Sequence, residues 1–212
     1  MRHAAEPSDL ELAALISSKI CHDVISPVGA IYNGLEILND DTDPSSHEFA
    51  MDVIRNVTTQ ASARLQFHRF AFGAAGSAGA QIDLTTAHGI SEGFIGNEKH
   101  KLSWQSPPGF LPKNQVKLLL NLVAIALNAL PRGGEIAVSI ENDLTLPHLT
   151  IVCSGNRARM PQHLPEIVAG QIPEIDAMTV QAYYAWRLAQ NVGAAITFEE
   201  ADNTIVIRAT YR

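Results

Sequence analysis

Stepping by seven from Leu10 lands on Ser17, Val24, Ile31 and Leu38, and a companion row runs through Ala14, Cys21, Val28 and Leu35. Apolar side chains at that period make a long seam that a helix buries only by packing on other helices. The run Asp40-Asp41-Thr42-Asp43-Pro44-Ser45-Ser46 breaks the pattern, and Ser45 or Ser46 is placed to cap a second helix. That helix carries Phe49, Val53, Ile54, Val57, Ala61, Leu65 and Phe72 on one side. A two-helix hairpin alone buries too little, so the pattern predicts pairing with a second copy into a dimeric four-helix bundle. Pro27 and Asn33-Gly34 weaken the first helix and predict a kink there.

A different pattern begins after Gly73-Ala74-Ala75-Gly76-Ser77-Ala78-Gly79-Ala80, which has the composition of a flexible linker. The expected division is a helical-hairpin domain over residues 1–73, a linker over 74–80 and an α/β domain over 81–212. In the last, a helix follows Asp83, a strand spans 101–105, and a long helix from about Pro112 to Leu130 stops at Pro131-Arg132-Gly133-Gly134. Strands are expected at 135–141 and 149–153, then a helix at 180–192 ending on Gly193. Two last strands, 195–199 and 204–210, meet in a hairpin at Ala201-Asp202-Asn203. The fold class is therefore α plus α/β, the second part a sandwich of one mainly antiparallel sheet with helices on one face.

Composition excludes several functions. A net charge of −7 leaves no basic stripe for nucleic acid. Two cysteines, Cys21 and Cys153, are too few for a disulfide framework and fit a reducing compartment, with Cys21 read as a small buried packing residue. The start, Met1 to Pro7, has no apolar segment after its basic residue. The most apolar window, Val116 to Leu130, is interrupted by Asn121 and Asn128 and is shorter than the roughly 20 residues a membrane span needs. The expectation is a cytoplasmic protein with no membrane or nucleic-acid partner. His3, His47, His68, His88, His100, His148 and His163 show no metal-ligand spacing, and no Gly-x-Ser-x-Gly or P-loop pattern is present. No bound metal or cofactor is expected.

His22 stands apart. It falls two positions before Val24, on the water-facing side of its helix, where a core histidine would not sit. A neutral imidazole so placed can attack a phosphoryl group and hold it as a phosphoramidate. Asp23 can accept a hydrogen bond from Nδ1, leaving Nε2 as the nucleophile, or take up a proton. Ser26 lies one turn on and Lys19 nearly one turn back, flanking a docked partner, and Lys19 can offset phosphoryl charge. An ordinary exposed histidine is the alternative that the residues alone leave open.

His22-Asp23-x-x-x-Pro27 resembles the H-box of histidine kinases, and Asn121-Leu122-Val123 with Pro131-x-Gly133-Gly134-x-Ile136-x-Val138 resembles their ATP-binding domain. The likeness covers nearly the whole chain, and so do its departures. The kinases' metal-binding second Asn falls on Ile125, the Asp that reads adenine falls on Cys153 of Cys153-Ser154-Gly155-Asn156-Arg157, and a later Gly-x-Gly falls on Thr179-Val180-Gln181. The segment from Gly155 to Ala177 is too short for an ATP lid. A phosphorylatable histidine on a degenerate kinase scaffold is similar to the histidine phosphotransferases of the alphaproteobacterial cell-cycle relay, whose window is matched over Ser18 to Ala30.

The resemblance implies a homodimer that takes a phosphoryl group on His22 from the receiver domain of a hybrid kinase (CckA-type) and passes it to CtrA- and CpdR-type regulators. Mg²⁺ then belongs to the receiver. The docking face is expected over Lys19, Ser26, Gly29 and Asn33 of the first helix and Arg64, Phe67 and His68 of the second, which symmetric counting from the turn puts at the level of His22. Phe67 is equally a bundle residue. Arg157 and Arg159, in a loop at the vacated nucleotide site, are placed to steer an acidic receiver. The alternatives are a non-catalytic scaffold or antikinase that binds a kinase or receiver, and an ATP-dependent kinase, which Ile125, Cys153 and the missing glycines disfavour.

Overall fold

The computed structural model of the protein describes residues 6–73, 79–96, 99–141 and 143–211. Helix α1 (Asp9–Asp40) starts at Ser8, which shares a capping box with Glu11: the Ser8 hydroxyl accepts from the Glu11 N–H, and the Glu11 carboxylate accepts from the Ser8 N–H at 2.8 Å. It runs unbroken through Pro27 to Asp40. Helix α2 (Pro44–Ala71) is capped by Asp43, not by Ser45 or Ser46. The reason is Pro44: its fixed φ and missing N–H suit the first helical position, so the residue before it takes the cap.

The hairpin is tight at Gly34, where a Cβ would stand 2.7 Å from Ile54 Cγ1. Asn33-Gly34 is therefore a close crossing of the two helices and not only a weak point in α1. Only one of the two apolar rows of α1 is covered by α2. Ile25 is 70% exposed, and Val28, Tyr32 and Leu35 are also open to solvent. Cys21, expected as a buried packing residue, shares this open side and is exposed in the single chain.

The rest of the chain forms β1 (Gln81–Asp83), α3 (Leu84–Ile95), β2 (His100–Gln105), β3 (Phe110–Pro112), α4 (Lys113–Ala129), β4 (Gly134–Glu141), β5 (His148–Ser154), α5 (Leu164–Val168), α6 (Val180–Val192), β6 (Ala194–Ala201) and β7 (Thr204–Tyr211). The main sheet has the order β2-β4-β5-β7-β6, parallel only between β2 and β4, and β1 pairs with β3 in a separate ribbon. The sequence pattern misses β1, β3 and α5 because three to five residues carry no measurable period. Gly133 and Gly134 make the turn after α4 with φ of +91° and +147°, and a Cβ on Gly134 would meet the Ser154 carbonyl at 2.3 Å. They are turn residues packed against backbone, as expected of a helix stop.

Helix α4 is buried on nearly all sides. Ile136, Ile151 and Ile207 cover it from the sheet, while α6, α3 and α2 pack around the rest. Two of its polar side chains serve the hairpin. Asn121 Nδ2 donates to the carbonyls of Ala71 (3.0 Å) and Lys117 (2.8 Å), and Lys117 Nζ donates to the Phe72 carbonyl at 3.4 Å. The last carbonyls of a helix lack intrahelical partners, so α4 satisfies the end of α2 and fixes it in place. Phe67 of α2 stacks on Phe94 of α3 with ring centres 3.7 Å apart. The expected flexible stretch between the two halves falls largely on residues 74–78, outside the described residues. Among the described residues no helix is long and apolar enough to cross a membrane.

Candidate functional site

His22 projects from α1 with 65% of its side chain exposed, and its Nδ1 lies 3.3 Å from Asp23 Oδ1. Asp23 itself is mostly covered and faces three basic groups. Lys19 Nζ sits 2.7 Å from both carboxylate oxygens, one helical turn back. His68 of α2 brings Nε2 to 3.2 Å from Oδ2. The His68 contact is close but poorly aligned as a hydrogen bond, and its other ring nitrogen, Nδ1, has no partner. Burial alone would raise the Asp23 pKa; the His68, Lys19 and His22 contacts outweigh it and hold the carboxyl well below the usual carboxylate range. So Asp23 is held as an anion beside the imidazole. It is a poor proton acceptor, and the sequence-based option of proton uptake is set aside.

Pro27 has a local part in this arrangement. Lacking an N–H, it leaves the carbonyl four residues back, that of Asp23, without its intrahelical donor. Arg64 Nη1 fills the gap from α2, donating to the Asp23 carbonyl at 2.7 Å. Carboxylate and carbonyl of one residue are thus both held across the hairpin.

The expected docking residues divide on burial. Ser26, Gly29 and Asn33 are exposed along the same stripe of α1 as His22, and a Cβ on Gly29 would meet nothing within 4 Å. Arg157 and Arg159 are exposed, with their backbone N–H groups anchored to the Asn203 side chain and the Ala129 carbonyl. Four residues are placed differently from the sequence reading. Lys19 is buried and committed to Asp23, Arg64 is half-buried on the helix backbone, Phe67 is fully buried against Phe94, and His68 is 3% exposed. The level of these α2 residues is as counted, but their side chains face inward because α3 and α4 pack on that side of α2. Two contributors escaped the sequence reading, Phe94 and Asn121's grip on Ala71. The spacing of Lys19 and Asp23, one helical turn apart, was the available signal for the first ion pair.

Residues 84–204 match a protein family described as the histidine phosphotransferase C-terminal domain. The chain belongs to this family. Over 204 residues it is 46% identical to the protein phosphotransferase ChpT of Brucella abortus (strain 2308), covering 95% of this chain and 96% of the relative. A solved bacterial phosphotransferase superposes with a TM-score of 0.89 at 43% identity, over 98% of this chain and 100% of that one. At the level of fold alone, the histidine kinase domain of an Erythrobacter litoralis blue-light-activated kinase aligns at TM-score 0.50 and 12% identity, over 87% of this chain and 95% of that one.

The kinase fold raises the question of a nucleotide with Mg²⁺, and the residues present do not fit one. Ile125 offers only hydrocarbon where a hard cation needs oxygen. Cys153 is buried, and burial pushes its thiol up to about 12, so no carboxylate-like acceptor stands at that place. Thr179 and Gln181 put buried side chains at the start of α6, where close approach of a phosphate needs bare backbone. The cavity left there, about 620 Å³, is lined by Ile125, Leu130, Met160, Thr179 and Gln181.

Proposed function

We propose that this histidine phosphotransferase family member carries a phosphoryl group on His22 between receiver-domain aspartates, from a hybrid histidine kinase to response regulators, without binding ATP. The observation that carries this reading is an exposed imidazole whose Nδ1 faces a fixed carboxylate, on a scaffold whose former nucleotide site lacks metal and phosphate ligands. The Nε2 lone pair of the neutral ring attacks the phosphorus of a receiver's aspartyl phosphate. The N–P bond forms as the acyl-phosphate P–O bond breaks, and the receiver leaves as a carboxylate. Nδ1 keeps its proton, so the ring becomes cationic and Asp23 stabilises that charge. Attack by the next receiver's carboxylate reverses the step. The chain supplies the imidazole; Mg²⁺ and the aspartate are the receiver's, with CckA-type donors and CtrA- and CpdR-type acceptors as the proposed partners.

Docking is proposed over His22, Ser26, Gly29 and Asn33, with Arg157 and Arg159 steering an acidic receiver face. Incubation with labelled ATP, and separately with a phosphorylated receiver, tests the donor. Acid-labile label is expected from the receiver only. Label taken directly from ATP overturns the relay, and no label from any phosphorylated receiver favours a scaffold or antikinase.

The homodimer is part of the same proposal. Ile25, Val28, Tyr32 and Leu35 form an apolar face on α1 that a second hairpin would cover. Light scattering coupled to size exclusion is expected to give twice the 22.9 kDa chain mass. A monomer at micromolar concentration contradicts it.

A further inference from the structure

We propose that His68 is a positioning residue for phosphoryl transfer: it holds one oxygen of Asp23 so that the other faces Nδ1 of His22. This rests on His22 being the phosphoryl acceptor. The geometry is a chain of polar atoms, from His22 Nδ1 to Asp23 Oδ1 at 3.3 Å and from Asp23 Oδ2 to His68 Nε2 at 3.2 Å. His68 is 3% exposed, too buried to meet a docked protein, so its place in the site is internal. Neither ring nitrogen of His68 has an aligned hydrogen-bond partner, but Nε2 has an acceptor in reach in Asp23 Oδ2 and Nδ1 has none, so the neutral tautomer that suits the site carries its proton on Nε2, facing Asp23.

The ring is held by aromatic walls. Phe72 stacks on it with centres 5.7 Å apart, and Phe67 and Phe94 meet it edge-on at 6.0 and 6.3 Å. Phe94 belongs to α3, and Phe72 packs on Tyr184 of α6 at 5.3 Å. Two walls of this box thus come from, or lean on, the ATPase-like part of the chain. Lys19 grips the same carboxylate from α1, bounding a crevice with Asp23, Arg64, Phe94, Asn128 and Gln181. Through His68, a part of the fold that no longer fits a nucleotide sets the orientation of the imidazole that carries the phosphoryl group. A side chain held in one rotamer by packing keeps reacting atoms aligned without cost at the moment of transfer.

The test compares His68→Phe, which fills the box without a donor, with His68→Gln, whose Nε2 can reach the position of the imidazole Nε2. For His68→Phe, the transfer rate at saturating phosphorylated receiver is expected to fall about tenfold while the half-saturating receiver concentration changes less than about twofold. In ¹⁵N spectra of the unphosphorylated protein, His22 is expected to lose its dominant Nδ1–H tautomer. His68→Gln is expected to restore both. Unchanged rate and tautomer in His68→Phe, or no rescue by glutamine, overturns the proposal. Should the phenylalanine variant fail to fold, the wild-type spectrum decides: His68 must show an exchange-protected Nε2–H, and its absence overturns the assignment. Because the tautomer of His22 is read without any receiver, a failure of the relay reading itself, no label from any donor, is distinguished from a failure of His68 to position Asp23.

Discussion

Replacing His22 with glutamine is expected to abolish phosphoryl uptake from a phosphorylated receiver, a loss of at least about 10³-fold, with folding untouched. Glutamine keeps a polar side chain of similar reach but has no lone pair basic enough to form and hold an N–P bond. The side chain is 65% exposed, and its polar contact in the chain is the one to Asp23. The melting temperature should therefore stay within the range of an ordinary surface substitution, about 0.5 kcal/mol. The measurement is label transferred to the chain over time, alongside a thermal melt. Retained labelling at another residue would move the acceptor away from α1 and sink the site as described.

Asp23→Ala is expected to damage both chemistry and stability. The buried Lys19 ammonium loses its counter-charge and the His68 imidazole its acceptor, and breaking a covered ion pair by removing one partner costs about 3 kcal/mol. The orienting contact to His22 goes as well, which should slow transfer about 10²-fold. Asp23→Asn separates the two, keeping the shape while removing the charge. The pH dependence has a definite sign. The Asp23 carboxyl titrates lower in the folded chain than in the unfolded one, so its stabilisation is fully present above the unfolded value, near pH 4, and is lost as pH falls toward the folded value. Denaturant melts of wild type between about pH 5 and 3 should show stability falling with acid. Asp23→Asn should fall less steeply, and an identical slope would mean that Asp23 is not the group held ionised.

Much of the fold was legible in the pattern of the chain. The break at Asp40 to Ser46, the stop at Gly133-Gly134 and the αL glycine after α6, Gly193, each have a local cause, and each element end lies where that cause puts it. The capping of α2 was misread by two to three residues because Asp43 and Ser45 are both competent caps, and only Pro44 arbitrates. The short strands β1 and β3 exist because they pair with each other, a contact invisible in either segment alone.

The site divides along the same line. The resemblance to histidine kinases set Ile125, Cys153 and Thr179-Val180-Gln181 where that family holds a nucleotide; local sequence determined that His22 faces water, that Asp23 is its neighbour and that Lys19 lies one turn back. Those facts follow from helical period and side-chain chemistry within a few residues. What the tertiary structure decided is which faces are covered. Packing of α3 and α4 against α2 turned Phe67 and His68 inward, and packing of α2 on α1 brought Arg64 to the carbonyl that Pro27 leaves unpaired. An apolar period marks a face as able to be buried, but α1 has two such rows, and the identity of the neighbour that covers each is a property of the assembled chain. The charge on Asp23 has the same origin, since a carboxylate is held ionised by whatever the fold places around it.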